Sequence, residues 1–169
     1  MKNTAFHEFS CSIARTLDVV GEWWTLLILR DLFAGMTRYD EIQRDLGLAS
    51  NVLAARLKRL LEAGLIEREN APDDGRAYNY RLSAKGRDLY PVMLALLAWG
   101  DKWQTPPGAE PLLVIHTGCG KLTVAQPHCA CCGEPMALED IRFAPGPGGR
   151  TASGTARMHA YLSPKTPQN

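Results

Sequence analysis

Three glycines constrain this chain more than any other feature. Gly35, Gly47 and Gly64 cut the stretch after residue 21 into short apolar-periodic segments, each closed by a residue that turns the backbone cheaply. Residues 22–34 place Leu26, Ile28, Leu29 and Leu32 for a core. Residues 40–46 carry Ile42 and Leu46 four apart. The segment after Ser50, expected to be its N-cap, sets Leu53, Leu57, Leu60 and Leu61 on one face. A short helix over 11–19 precedes them. After Gly64 the period changes: residues 65–68 and 78–82 read as strands around the turn-forming Pro72-Asp73-Asp74-Gly75. A last helix is expected over 84–103. The chain is thus read as mostly α, within the α+β class: a helix-turn-helix followed by a two-stranded wing.

Composition limits the function classes. Nineteen Lys and Arg balance eighteen Asp and Glu for a net charge of +1, so bulk charge does not point to nucleic acid and pattern must. No apolar run reaches the ~18 residues of a membrane span; the richest, 89–99, is broken by Pro91. The N-terminus has no secretory pattern, so a cytoplasmic location with reduced thiols is expected. No Ser/His/Asp set, carboxylate pair or phosphate loop is visible, and no enzyme is expected.

The helix beginning at Ser50 has the character of a major-groove reader. Its leucines face inward and leave Asn51, Ala54, Ala55, Lys58 and Arg59 outward, with Ser50 at its start. Small Ala54 and Ala55 permit close approach, and the helix N-terminus favours phosphate. Arg76, near the wing tip and flanked along the hairpin by Arg68 and Arg81, suits a narrow minor groove. The plainer reading is a packed helix pair with a solvated charged face.

Beyond the Pro/Gly linker at 104–111 the chain changes character. His116-Thr-Gly-Cys119-Gly and Cys129-Ala-Cys131-Cys132-Gly give two ligand pairs, each closed by glycine. Four donors, His116, Cys119, Cys129 and Cys132, match a closed structural zinc site. Cys131 and His128 are spare donors that could replace one of these, and Cys129 with Cys132 could instead be a redox pair. The expected organisation is a winged helix-turn-helix and dimerisation domain over 6–103, a linker, a zinc-ribbon-like module over 112–143, and a disordered tail over 144–169 with few core-forming residues.

Several stretches resemble the HxlR-type winged-helix regulators of bacteria. They are residues 11–32, opening Cys-Ser-Ile-Ala-Arg and closing Leu-Arg-Asp-Leu; residues 39–48; residues 51–68; residues 76–89; and Trp99-Gly-Asp-Lys-Trp103. Longer members of that family look similar through the His-x-x-Cys-Gly and Cys-x-x-Cys-Gly pairs. The resemblance implies a homodimer on a palindromic operator in double-stranded DNA. The first helix and the 84–103 helix would pair about the two-fold, setting the reading helices about 34 Å apart. It also implies control by a small molecule or by thiol oxidation. Cys11 matches a redox-responsive cysteine of some relatives, but a small buried residue in the dimer core is the favoured reading, since no basic residue stands beside it before Arg15. Trp23 departs from the family, standing where a basic residue is expected. The competing function is a zinc-ribbon interaction module or thiol-redox protein with no operator.

Overall fold

The computed structural model describes residues 6–71 and 74–150, and residues 152, 154, 155, 157, 158 and 162 beyond them; side chains at 74–77 are not described. Two compact units share the chain. One lies before Trp24 and after Met136, and the other runs from Trp24 to Met136.

In the first unit a 3-10 turn at Phe6–Glu8 leads into α1 (Ser12–Val20), whose N-cap is Cys11 in an extended conformation. The Phe6 N–H donates to Asp18 Oδ1 at 3.0 Å, and Arg15 Nε donates to the Phe9 carbonyl at 2.8 Å. Ser10 Oγ donates to the Gly148 carbonyl at 2.9 Å. Gly154 lies so close to the Phe9 ring that a Cβ there would stand 2.1 Å from it. Ile13, Leu17 and Val19 of α1 stay exposed. The tail expectation falls partly on residues 151, 153, 156, 159–161 and 163–169, which lie outside those described.

The second unit is built on α2 (Trp23–Phe33), α3 (Tyr39–Leu46) and α4 (Ser50–Glu62). Ile28 and Leu29 of α2, Ile42 of α3, and Leu53, Leu57 and Leu60 of α4 are at most 2 % exposed. Each such side chain is worth about 1.5–3 kcal/mol of transfer free energy, so this cluster dominates the stability of the unit. Left-handed glycines end the helices as expected: φ is +96° at Gly35, +61° at Gly47 and +68° at Gly64. Arg30 ties α2 to α3, with Nη2 2.6 Å from Asp31 Oδ1 and 2.8 Å from Asp45 Oδ2.

The wing is the antiparallel pair β1 (Ile66–Ala71) and β2 (Asp74–Leu82), in register from Ile66↔Leu82 to Asn70↔Tyr78. Residues 37 and 38 add a third edge. The Tyr80 N–H donates to the Thr37 carbonyl at 2.8 Å, and Arg38 bridges antiparallel to Asn79. Ile66 and Tyr80 turn inward onto the helical core.

Two expectations need correction. Ser50 is not the N-cap of α4: Ala49, with extended backbone and no side-chain cap, is, and Ser50 is the first helical residue, its hydroxyl accepting from Gln43 Nε2 at 2.8 Å. The helix expected over 84–103 is two helices, α5 (Ala84–Arg87) and α6 (Tyr90–Gln104). The cause is Pro91, which lacks an N–H for the Arg87 carbonyl and whose ring would clash with it; it fits only in the first turn of a new helix. Farther on, β3 (Val114–His116) and β4 (Lys121–Thr123) form a second antiparallel hairpin. Among the described residues no helix is long and apolar enough to cross a membrane.

Candidate nucleic-acid interface and cysteine loops

The outer face of α4 is assembled by its burial pattern. Leucines at 53, 57 and 60 hold one side against the core, so Ser50, Asn51, Ala54, Ala55, Lys58 and Arg59 all lie exposed. The row has small residues near its N-terminal end and cations near its C-terminal end. Lys58 Nζ lies 3.8 Å from Glu62 Oε1 one turn on; both side chains are mostly exposed, and such a pair is weak enough to yield to a phosphate. The start of α4 is fixed from α3. Tyr39 Oη donates to the Ser50 carbonyl at 2.7 Å, and Gln43 Nε2 bonds both the Leu48 carbonyl at 3.1 Å and Ser50 Oγ. Tyr39 and Gln43 are positions that periodicity does not reveal, since what they hold is the start of another helix.

The end of α4 is fixed from the other side. Lys85 Nζ donates to the Ala63 carbonyl at 2.7 Å, Ser83 Oγ to that of Gly64 at 2.7 Å, and the Ser83 N–H to that of Leu65 at 3.0 Å. Ser83 Oγ also accepts from the Gly86 N–H, capping α5. Gly86 passes so close that a Cβ would come 2.0 Å from the Leu65 oxygen, which leaves no room for any other residue.

Two of the wing cations have partners within the hairpin, both at exposed side chains. Arg68 stacks on the Tyr78 ring at 4.2 Å, and Arg81 Nε pairs with Glu69 Oε1 at 2.6 Å. Arg76 lies in β2, and its side chain is outside those described.

The two cysteine loops share a glycine-closed turn. In the first, the Gly120 N–H donates to the His116 carbonyl at 2.8 Å and φ at Gly120 is +67°. In the second, the Gly133 N–H donates to the Cys129 carbonyl at 2.8 Å and φ at Gly133 is +77°. Each glycine closes a turn that brings donors three residues apart together. His116 Nδ1 stands 3.4 Å from Cys119 Sγ. Backbone N–H groups of Cys132 and Cys131, and then the Cys132 side chain, hydrogen-bond to the Cys129 sulfur and hold its thiol below the usual range. In the first loop the Cys119 N–H donates instead to the His116 carbonyl at 3.2 Å. His128 Nδ1 is instead within 3.0 Å of the Gln126 carbonyl. Among the described residues no group of three or more His, Cys, Asp or Glu side chains is arranged to hold a metal ion. The structure therefore pairs His116 with Cys119 and Cys129 with Cys132 without bringing all four to one point. Cys11 is half-buried at the N-cap of α1.

Comparison with known proteins identifies the family. An uncharacterized HTH-type transcriptional regulator of Mycobacterium tuberculosis is 38 % identical over 137 residues, 81 % of this chain and 87 % of that one. The crystal structure of PA1607, a candidate transcription factor, superposes with a TM-score of 0.75 at 39 % identity, covering 83 % of this chain and 99 % of that one. PA1374 of Pseudomonas aeruginosa, another candidate transcription factor, gives 0.59 at 34 % identity over 90 % of this chain and 100 % of that one. Residues 19–107 match the HxlR-like helix-turn-helix. The chain belongs to the HxlR-like helix-turn-helix family of DNA-binding transcriptional regulators.

Proposed function

We propose that the protein acts as a homodimer on a palindromic operator, with α4 in the major groove and the β1–β2 hairpin along the neighbouring minor groove. The observation that carries this reading is the division of α4 into a leucine face at most 2 % exposed and an outer row of Ser50, Asn51, Ala54, Ala55, Lys58 and Arg59. Asn51 offers a donor and acceptor to a base edge, the alanines admit the groove wall, and Lys58 and Arg59 meet phosphate. Arg76 is assigned to the minor groove. A second copy would cover the apolar side chains left open on α6, where Val92, Leu96, Trp99 and Trp103 are exposed, and those left open on α1. An effector, whether a small molecule or an oxidant acting at Cys11, would then work by changing the pairing of the two copies.

The cysteine segment is assigned a structural zinc ion held by His116, Cys119, Cys129 and Cys132. When bound, the ion would tie the two loops into one unit and leave no open position for catalysis. The twin glycine-closed turns support this reading.

Operator selection from fragmented genomic DNA, followed by titration of the selected duplex, tests the proposal. Asn51→Ala is expected to weaken binding by about 1–3 kcal/mol and to relax preference at one base position. Unchanged affinity and preference would remove α4 as the reader.

A further inference from the structure

The helix α1 has little of its own to hold it. It is nine residues long, its N-cap Cys11 makes no side-chain cap hydrogen bond, and Val20 at its end is its one buried residue. A helix of that length is marginal in water without packing. Support reaches it through the turn that precedes it. The Phe6 N–H donates to Asp18 Oδ1 and Arg15 Nε donates to the Phe9 carbonyl, so the turn is tied to α1 at two points. Phe6 and Phe9 meet edge to face, their ring centroids 5.3 Å apart.

The turn is itself held by a distant part of the chain. Ser10 Oγ donates to the Gly148 carbonyl at 2.9 Å. Gly154 lies against the Phe9 ring with φ at +78°, and a Cβ there would overlap the ring. That conformation and that clearance both require glycine. Thr155 beside it is buried. Its hydroxyl donates to the Arg150 carbonyl at 3.2 Å and its N–H to the Ala152 carbonyl at 3.0 Å, which folds the segment back on itself at the point of contact.

We propose that the C-terminal segment from Gly148 to Thr155 is a strap, which holds the turn at Phe6–Ser10, and through it α1, in the form that a second copy of the chain pairs with. The inference rests on the homodimer reading. Ile13 and Leu17 stand one turn apart on α1 and are exposed, and they are the side chains the strap presents. Without the strap, the turn and the start of α1 fray, and a second copy has to order them as it binds, which weakens association. With the strap, that ordering is complete within each copy beforehand.

The test compares the full chain with three variants. Gly154→Val drives a branched side chain into the Phe9 ring, and a chain ended after Pro147 lacks the strap altogether. Gly148→Ala is the control, since a Cβ there meets nothing within 4 Å and the carbonyl that Ser10 uses remains. Hydrogen exchange is read over residues 6–20 and over 53–60, and dimer dissociation by sedimentation. Gly154→Val and the shortened chain are expected to lose protection over 6–20, keep it over 53–60, and dissociate about tenfold more readily, the effect of ~1.4 kcal/mol. Gly148→Ala is expected to behave as the native chain. Native protection over 6–20 in the shortened chain would overturn the proposal, as would native dimer affinity once that protection is lost. If the native chain stays monomeric at every concentration, the dimer reading fails by itself, and exchange over 6–20 still decides whether the segment holds α1.

Discussion

The stretch from Trp24 to Gln104 and the stretch from Thr105 to Met136 lie in one chain and hold their shape by different means. The first buries Ile28, Leu29, Ile42, Leu53, Leu57 and Leu60 almost completely. The second buries no side chain: Leu112, Leu113, Ile115, Leu122 and Val124 are each more than half exposed. What organises it is a short hairpin and two glycine-closed turns. A segment of this size cannot enclose a core and ordinarily needs a covalent or metal staple. The contrast is what the proposed zinc ion would explain, since it would supply beyond the linker the order that buried leucines supply before it.

One substitution placed in both regions separates the two regimes most strongly. Leu57→Ala is expected to cost about 2–5 kcal/mol, read as a fall in the urea midpoint of the helical signal. Leu122→Ala should move that midpoint by less than about 0.5 kcal/mol. Equal costs would mean that the hairpin shares in the helical core.

Next in size is metal removal. Cys132→Ser, or chelation of the native protein, should release one zinc per chain and remove hydrogen-exchange protection from residues 112–136, since such units draw their folding energy from the ion. The urea midpoint of the helices should not change. A midpoint that fell with the metal would show the two regions to be energetically coupled.

The smallest effect concerns Asp31. Its side chain is 1 % exposed, Oδ1 accepts from Arg30, and Oδ2 has no hydrogen-bond partner. Burial raises its pKa, and the Arg30 hydrogen bond and charge only partly oppose this. The folded state therefore favours the protonated form. The stability Asp31 contributes is fully present below its unfolded pKa and is lost as pH rises through the folded one. Asp31→Asn should flatten the pH dependence of helical unfolding across and just above the carboxylate range. A profile identical to the native one would place the titration elsewhere.

Much of the winged helix was legible because glycine stops and leucine spacing are local signals. The N-cap of α4 was not: Ala49 takes that place, and Ser50 is engaged by Gln43, a side chain from another helix. The partners of the wing cations were not legible for a similar reason: Glu69 and Tyr78 engage Arg81 and Arg68 across the strands, and strand register is not readable from composition. Pro91 was visible, yet a continuous helix was expected through it. The edge formed by Thr37 and Arg38 is too short to leave a periodic trace. The cysteine pairs were legible as pairs, because glycine after each is a local requirement. Convergence of the two loops is a long-range property that spacing does not encode.

The three carbonyls at the end of α4 have a mechanical consequence. Ser83 and Lys85 clamp Ala63, Gly64 and Leu65 through three donors, and Gly86 abuts the Leu65 oxygen without clearance. The end of α4 and the start of α5 are therefore tied to each other, and the joint with α6 lies just beyond, at Asp88 and Leu89, where Pro91 interrupts the backbone ladder. In a dimer built through α6, this joint is the fulcrum. A few degrees of tilt between the paired α6 helices would be carried down the arm to α4 and change the distance between its two copies, so the operator spacing that the proposed dimer accepts would be a gauge of the angle at that joint.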